Sequence, residues 1–248
     1  MLATSLRPQG PAWVDGLVER RPQVRSIRAV LFDMDGVLIH SEPVHMEAAQ
    51  LVLNRYGIGL TPEQYSEFFL GKTMHSGFSR YLSNVGSEID VQRAMTEQAE
   101  AYLELAAGQL TALPGVVEFI RDLERGGMPM ALVTGSLRSE AHLTLDALGL
   151  VDVFEVVMGA EDVHKSKPDP EGYLKAARTL GIFLEDCVVI EDAPSNVVAL
   201  KELGIRSVAV TTSHSEAELA GAGAAMVVDA LNPGCLEKLR SHQLALFG

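Results

Sequence analysis

Acidic residues occur in two short groups, each directly after an apolar run. Asp33 and Asp35 form the first group, and Glu191 and Asp192 form the second. Two carboxylates two residues apart can divide the work of catalysis, because one can attack an electrophile while the other moves protons. Several carboxylates in one place repel each other, which favours a bound divalent cation, and oxygen ligands favour Mg²⁺.

Hydroxyl groups, small residues and lysines follow two further apolar runs. Thr134, Gly135 and Ser136 come after one run, and Lys165 and Lys167 lie in the loop after another. Hydroxyl and amide donors can hold phosphoryl oxygens, and a lysine can offset the repulsion between a carboxylate nucleophile and a phosphate dianion. Together with the acidic groups, these residues favour metal-assisted phosphoryl transfer.

The elements that must position these residues follow an alternating pattern. Short apolar runs predict buried parallel strands at residues 29–32, 130–133, 154–158, 187–190 and 207–210. Helical patterns that end at glycines lie between them, at about 116–125, 137–148, 170–180 and 194–203. Ser136 is the predicted N-cap of the second of these helices, and Asp169 is that of the third. This alternation predicts an α/β fold with a doubly wound, Rossmann-like parallel sheet, which binds ligands at the carboxyl ends of its strands.

Residues 41–113 interrupt the alternation and read as an inserted, all-helical domain. Helices are predicted at 42–56 and 91–107, and Thr61-Pro62-Glu63-Gln64 reads as a capping box before a third helix that carries Tyr65, Phe68 and Phe69. These aromatic residues favour the core of the insert. The predicted organisation is an N-terminal extension (1–28), an α/β core (29–40 and 114–248) and a helical cap (41–113).

Composition excludes several classes of protein. The 248 residues carry a formal net charge of −13, which argues against a nucleic-acid partner and against anchoring to anionic lipid. Cys187 and Cys235 have no spacing typical of a zinc site or a disulfide framework. With neither a secretory signal nor a membrane-spanning run in the pattern, we expect a cytoplasmic protein with no membrane partner.

Four motifs carry a resemblance to a known family. Asp33-Met34-Asp35-Gly36-Val37 resembles the first motif of the haloacid dehalogenase-like superfamily, and the other three match in order: Val133-Thr134-Gly135-Ser136, Lys167-Pro168-Asp169-Pro170 and Val189-Ile190-Glu191-Asp192-Ala193-Pro194-Ser195. The helical insert after the first motif is similar to the cap of the β-phosphoglucomutase-like and sugar-phosphate phosphatase branch.

The resemblance implies a role for each matching residue. Asp33 is expected to be the nucleophile that forms an aspartyl phosphate, and Asp35 to protonate the leaving alcohol and then activate water. Thr134 and the Gly135 amide would bind phosphate, with Ser136 as a further candidate. Lys167, rather than Lys165, would neutralise the phosphate and the nucleophile. The implied Mg²⁺ ligands are Asp33, the backbone carbonyl of Asp35, Asp192 and, directly or through water, Glu191.

The predicted cap contributes further candidates. His45 matches a family histidine at the core–cap linker, whereas His40 stands where relatives usually have Asp and favours an exposed hinge residue. Lys72 and Thr73 fall in a stretch similar to the substrate-specificity loop. Met74 stands where the mutase branch often has an Arg, the usual partner of a second phosphate, although Lys72 or Arg80 could substitute.

These observations leave three functional hypotheses. The first is a Mg²⁺-dependent phosphatase that hydrolyses a small phosphorylated metabolite, a sugar or polyol phosphate, as a monomer or weak homodimer. The second is a β-phosphoglucomutase-like phosphomutase, which would return the phosphoryl group to an alcohol. The third is an inactive binding protein on the same fold, which the intact Asp33, Asp35, Lys167 and Asp192 disfavour.

Overall fold

The computed structural model describes residues 26–70, 72–106 and 109–242. Most of the predicted N-terminal extension, residues 1–25, therefore lies outside the described residues. Within the described ranges no helix is both long and apolar enough to cross a bilayer.

A parallel sheet forms the centre of the fold, as predicted, and in the described residues it has six strands, one more than the five that the sequence predicted. Its strands are β1 (Ala29–Phe32), β2 (Met130–Val133), β3 (Val156–Met158), β4 (Cys187–Glu191), β5 (Arg206–Val210) and β6 (Met226–Val228). Their order is β3-β2-β1-β4-β5-β6. Successive strands are added outward from β1 in one direction and from β4 in the other, so the order reverses between β1 and β4. Ligands bind at such a switch point in open α/β sheets, beyond the carboxyl ends of the strands.

Helices cover both faces of the sheet. The core helices are α5 (Val116–Arg125), α6 (Arg138–Ala147), α7 (Glu171–Thr179), α8 (Pro194–Glu202), α9 (Glu216–Ala222) and α10 (Pro233–His242). Val30 and Phe32 of β1 pack on the side of α5 and α6, whereas Ala29 and Leu31 pack on the side of α7 and α8. β1 is buried at every position because both of its faces are covered, which is why it reads as an unbroken apolar run.

The start of β3 and the N-cap of α7 differ from the sequence prediction. β3 begins at Val156 rather than at residue 154, because Phe154 turns its ring edge-on to Phe32 in the core, with the ring centroids 5.7 Å apart. Asp169 is not the N-cap of α7. Pro170 occupies that position, and the Asp169 carboxylate accepts a hydrogen bond from the Glu171 amide, which it reaches at 3.0 Å.

Within the described residues, four helices lie between β1 and α5, in the predicted cap. They are α1 (Glu42–Arg55), α2 (Pro62–Phe68), α3 (Met74–Asn84) and α4 (Val91–Ala106). The capping box at Thr61 is present, because the Thr61 hydroxyl accepts from the Gln64 amide and the Gln64 side chain accepts from the Thr61 amide. Tyr65, Phe68 and Phe69 are buried in a hydrophobic cluster made within these helices, as expected of cap core residues.

The two linkers between the sheet and the cap helices run side by side. The Leu113 amide donates to the Leu38 carbonyl at 2.8 Å, and Ile39 forms an antiparallel bridge with Ala112. The chain therefore leaves and re-enters the α/β core at one place. The proposed cap boundaries at 41 and 113 fall immediately beside this crossing.

Candidate functional site

An ion pair joins the ends of β1 and β4. Lys167 Nζ lies 2.7 Å from Asp33 Oδ1 and 3.1 Å from Glu191 Oε1. Burial raises the pKa of Asp33 well above its usual value; Lys167 opposes this rise, and the neighbouring carboxylates add to it. For Lys167, burial lowers the pKa but the carboxylates of Asp33 and Glu191 outweigh it, so its pKa is raised and the ammonium is kept charged. Lys165, the competing lysine, is largely exposed and pairs with Asp169.

Glu191 is fully buried and accepts five hydrogen bonds. Its Oε1 accepts from Lys167, from the Tyr173 hydroxyl at 2.5 Å and from Asn196 Nδ2 at 2.8 Å. Its Oε2 accepts from the Asp192 and Ala193 amides, at 3.2 and 3.3 Å. Because both oxygens of Glu191 accept hydrogen bonds, this carboxylate holds Lys167 and the first turn of α8 in place.

The Asp192 carboxylate is held against the backbone of the first motif. A Cβ atom at Gly36 would meet Asp192 Oδ2 at 2.0 Å, and Gly36 also has a φ of +78°, so only glycine fits there. Burial and Glu191 raise the pKa of Asp192 to about 6, while a hydrogen bond from the Ser213 hydroxyl lowers it. The His214 ring donates from Nδ1 to the Asp192 carbonyl at 3.1 Å.

These acidic residues form one possible metal site. Asp33, Glu191 and Asp192 each offer an oxygen, and the three oxygens lie within 4.8 Å of one another. The donor set fits a hard divalent cation, because all three donors are buried carboxylate oxygens. Among the described residues, Lys167 is the one lysine that contacts them, through Asp33 and Glu191. Asp33 and Asp192 each accept fewer hydrogen bonds from the protein than Glu191 does. To bind a metal ion, Glu191 would have to use oxygens that already accept hydrogen bonds.

Asp35 is held by three hydroxyl groups from two segments of the chain. Its Oδ2 accepts from Ser136 Oγ at 3.0 Å and from Thr134 Oγ1 at 3.3 Å, and its Oδ1 accepts from Ser41 Oγ. His45 Nε2 lies 4.0 Å from the same Oδ1. The Asp35 side chain is 30% exposed, so its carboxyl is accessible from solvent.

The loop after β2 presents polar groups beside Asp35. Thr134 is buried and its hydroxyl accepts from the Ser136 amide at 3.0 Å, whereas Gly135 is exposed. The prediction that Ser136 is the N-cap of α6 is wrong, because that residue is Leu137 and the Ser136 hydroxyl donates to Asp35. The Glu140 carboxylate reaches back instead and accepts from the Leu137 amide at 3.0 Å.

Glu140 makes a testable contribution to the pH dependence of stability. Burial and the charge of Asp35 raise its pKa from 4.5 to about 7, although the Leu137 amide opposes the rise. The folded protein thus binds the proton of the Glu140 carboxyl more tightly than the unfolded chain does. The free energy of unfolding therefore falls as the pH rises from about 4.5 to about 7. Glu140→Gln keeps an acceptor for Leu137 and removes this loss. We expect the variant to be more stable by about 2–3 kcal/mol at pH 8.

Urea unfolding between pH 4 and 8 measures this difference. Glu118 is the matched control, because it is also the third residue of its helix, α5, but is exposed. Glu118→Gln is expected to follow the wild type at every pH. An advantage of Glu140→Gln over the wild type that stays constant across the pH range would contradict the assignment.

Of the candidate residues outside the α/β core, only some lie near the site. His45 is buried beside Asp35, whereas Lys72 and His40 are exposed. Thr73 has a structural contact, because its hydroxyl caps α3 by accepting from the Ser76 amide. Met74 is the first residue of α3 and packs partly against the hydrophobic cluster of the cap.

Several residues that surround the site were not predicted from the sequence. They contact the predicted residues or, for Glu42, interact with them electrostatically. They comprise Ser41, Glu42, Gln98, Tyr102, Tyr173, Asn196, Ser213 and His214. Tyr173 and Asn196 carried a weak signal, because each lies in the first turn of a helix that follows a motif. Gln98 lies 53 residues from His45, and no local pattern connects them.

Comparison with known proteins identifies the family. Residues 30–210 match the family model for haloacid dehalogenase-like hydrolases. Validoxylamine A 7'-phosphate phosphatase of Streptomyces hygroscopicus subsp. limoneus is 31% identical over 79% of this chain and 91% of that protein. Hexitol phosphatase A of Escherichia coli K12 is 33% identical over 74% of this chain and 82% of that protein.

One longer relative and one solved structure extend the comparison. The chain matches 20% of the length of the protein SUPPRESSOR OF QUENCHING 1, chloroplastic, of Arabidopsis thaliana, with 33% identity over 82% of this chain. The crystal structure of a putative β-phosphoglucomutase from Thermotoga maritima superposes with a TM-score of 0.70 at 30% identity, covering 86% of this chain and 99% of that one. With its α/β core, its helical insert and the acidic ends of β1 and β4, this chain belongs to the haloacid dehalogenase-like hydrolase family.

Proposed function

We propose that this protein is a Mg²⁺-dependent phosphatase that hydrolyses a small phosphorylated sugar or polyol through an aspartyl phosphate on Asp33. The observation that carries the proposal is the contact of Lys167 Nζ with Asp33 Oδ1 at 2.7 Å, beside a second, partly exposed carboxyl at Asp35. A buried cation against one carboxylate and a proton carrier next to it are what phosphoryl transfer to a carboxylate requires. The similar phosphatases support the same class of substrate.

In the first half-reaction Asp33 attacks phosphorus. An oxygen–phosphorus bond forms to the Asp33 carboxylate, the ester bond breaks, and Asp35 gives its proton to the departing alkoxide. Repulsion between the carboxylate and the dianion amounts to about 5 kcal/mol per pair of unit charges near 3.5 Å at an effective dielectric constant of 20. Lys167 offsets part of this repulsion, and Thr134, Ser136 and the Gly135 amide are the proposed donors to the phosphoryl oxygens.

In the second half-reaction water attacks the aspartyl phosphate. Asp35, now ionised, accepts the proton of the water, and the bond between phosphorus and the Asp33 oxygen breaks. Inorganic phosphate leaves, and Asp33 returns as a carboxylate beside Lys167. Asp35 thus serves as acid and then as base, and its position next to the Ser136 and Thr134 hydroxyls suits both steps.

Asp33, Asp192 and the Asp35 backbone carbonyl are the proposed Mg²⁺ ligands, with Glu191 as a further candidate. When bound, Mg²⁺ supplies positive charge that stabilises the phosphoryl oxygens and the carboxylates around them. Gly36 and Ser213 hold the Asp192 carboxylate on the side of the first motif. A cytoplasmic location and a monomer or weak homodimer remain predictions.

Metal dependence is the first prediction of this proposal. We expect EDTA to stop phosphate release, excess Mg²⁺ to restore it, and Ca²⁺ not to restore it, since Ca²⁺ prefers a looser and higher coordination. Phosphate release in metal-free buffer with each ion added back measures this. A full rate in EDTA would remove the metal from the proposal.

A phosphomutase is the second candidate, because the similar Thermotoga maritima structure is described as a putative β-phosphoglucomutase. Met74 argues for the phosphatase, since it stands where the mutase branch often has an Arg for the second phosphate of a bisphosphate intermediate. Lys72 and Arg80, both exposed, are the alternative cations for that phosphate.

A substrate panel distinguishes the two candidates. Phosphate release with Mg²⁺ is measured on phosphorylated sugars, polyols, glycolate and nucleotides, and phosphorus NMR detects isomerised products. Rapid release from sugar or polyol phosphates is the expected result. Little release, with conversion of β-glucose 1-phosphate to glucose 6-phosphate after a bisphosphate is added, would favour the mutase.

A further inference from the structure

Two residues of cap helix α4 contact the ring of His45. Gln98 Nε2 lies 3.3 Å from His45 Nδ1, and the Tyr102 ring is stacked on the imidazole with centroids 4.1 Å apart and planes within 15°. Residues 98 and 102 are four apart, so they lie on the same face of the helix. All three side chains are buried. One helix face therefore fixes both the plane of the ring and one of its nitrogens.

The contact with Gln98 bears on which ring nitrogen carries the proton, because each ring nitrogen donates or accepts according to the tautomer. With the Gln98 amide nitrogen as the donor, Nδ1 accepts and the hydrogen of the neutral ring is on Nε2. Nε2 is the nitrogen that faces Asp35 Oδ1, at 4.0 Å. A single Nε2 hydrogen is therefore directed at the Asp35 carboxylate.

We propose that Gln98 and Tyr102 are positioning residues for the proton transfer by Asp35, acting through the orientation and tautomer of His45. This inference rests on the proposed function, in which Asp35 protonates the leaving alcohol. The Ser41, Thr134 and Ser136 hydroxyls also contact Asp35 and belong to the linker and the core. Gln98 and Tyr102 belong to the cap, so they link the orientation of the acid to the placement of α4.

The chemistry of the two positions supports a role beyond packing. Gln98 is 2% exposed and lies between the buried residues Ala94 and Ala101 of the same helix. A buried amide is costly without partners, and an apolar residue of similar size would serve packing alone. The Tyr102 hydroxyl is buried and interacts with Thr144 of α6, so the contact with His45 is made by the ring and not by the hydroxyl.

NMR tests the tautomer without depending on activity. Long-range proton–nitrogen spectra of the full chain report which nitrogen of each histidine is protonated, and His45→Asn assigns the signal. We expect the Nε2–H tautomer for His45 in the wild type and a mixture of tautomers in Gln98→Leu. A His45 ring protonated on Nδ1, or one that Gln98→Leu does not change, would overturn the inference.

Kinetics with two leaving groups test the effect on the acid. Sorbitol 6-phosphate releases an alkoxide that needs a proton, whereas p-nitrophenyl phosphate releases a stable anion that does not. The ratio kcat/KM reports the steps up to formation of the aspartyl phosphate. We expect Gln98→Leu and Tyr102→Leu to lower kcat/KM for sorbitol 6-phosphate by about tenfold, a part of the 10²–10⁴-fold contribution of a general acid. For p-nitrophenyl phosphate we expect a change within about twofold.

Conservative and distant variants complete the design. Tyr102→Phe keeps the ring and is expected to recover the activity that Tyr102→Leu loses, and Gln92→Leu changes an exposed glutamine of the same helix as a control. An equal loss with both substrates would assign Gln98 and Tyr102 a structural role only, and no loss would overturn their role in catalysis. A wild type that releases phosphate from no ester in the substrate panel would instead contradict the proposed function and leave the NMR result to decide on the tautomer.

Discussion

Asp33→Asn is expected to lower phosphate release by about 10⁴-fold or more while the protein stays folded. The amide cannot form the acyl phosphate, and loss of a nucleophile removes an entire pathway rather than one contact. Asparagine has the same shape, and its oxygen can still accept from the Met34 amide, which now reaches Asp33 Oδ1 at 2.7 Å. We therefore expect circular dichroism and cooperative unfolding like those of the wild type. Steady-state phosphate release measures the activity.

A matched change outside the site gives the control for this variant. Asp152 is an exposed residue of the loop before β3, and Asp152→Asn is expected to retain activity within twofold. Substantial turnover by Asp33→Asn, after deamidation has been excluded by mass spectrometry, would remove Asp33 as the nucleophile.

Lys167→Met is expected to reduce both activity and stability. Lys167 is the cation that contacts Asp33 and the fully buried Glu191, so its loss leaves buried carboxylates without their partner. Removing one member of a buried ion pair costs about 3–5 kcal/mol, and we expect the free energy of unfolding without Mg²⁺ to fall by about 3 kcal/mol. Phosphate release should fall by about 10³-fold, because the attacking carboxylate and the phosphate lose the charge between them. Urea unfolding and substrate kinetics measure the two effects.

Lys165→Met is the control for the loss of a lysine from the same loop. Its ammonium lies 3.5 Å from Asp169 on a side chain that is 74% exposed, so the pair contributes little. We expect a stability change below about 0.5 kcal/mol and near-normal turnover. If the two lysine variants behaved alike, the assignment of Lys167 over Lys165 would be wrong.

The sheet and the residues at its strand ends were predictable because both follow from short-range patterns. A central parallel strand is buried on two faces, so β1 and β4 read as apolar runs, and their next residues lie at the ligand-binding edge. This is why Asp33 and Asp192, far apart in sequence, were expected together, and their carboxylate oxygens lie within 4.8 Å of each other.

The errors arose where side chains, not patterns, decide the local structure. Ser136 has the residue type of an N-cap, but its hydroxyl donates to Asp35, and Glu140 satisfies the next amide of the chain instead. Phe154 has the apolar character of a strand residue, but its ring is fixed edge-on against Phe32 in the core. In each case a tertiary partner outweighs the local preference.

The surroundings of Asp35 could not be read from the sequence. Which face of α4 meets His45 depends on how that helix packs on α1, and this is set by contacts spread over the cap. Gln98 is unremarkable in a helix that also carries Gln92, and only the tertiary contact separates the two. The role of Lys72 and the boundaries of the cap remain predictions for the same reason.

Trapping the phosphoryl group on the protein tests the central claim most directly. Asp35→Asn lacks the base for the second half-reaction, and p-nitrophenyl phosphate does not need the acid in the first. The account predicts a burst of one p-nitrophenolate per enzyme with Mg²⁺ present and, after acid quench, one phosphoryl group on the peptide that contains Asp33. Continued turnover without a burst, or a phosphoryl group on any other residue, would contradict it.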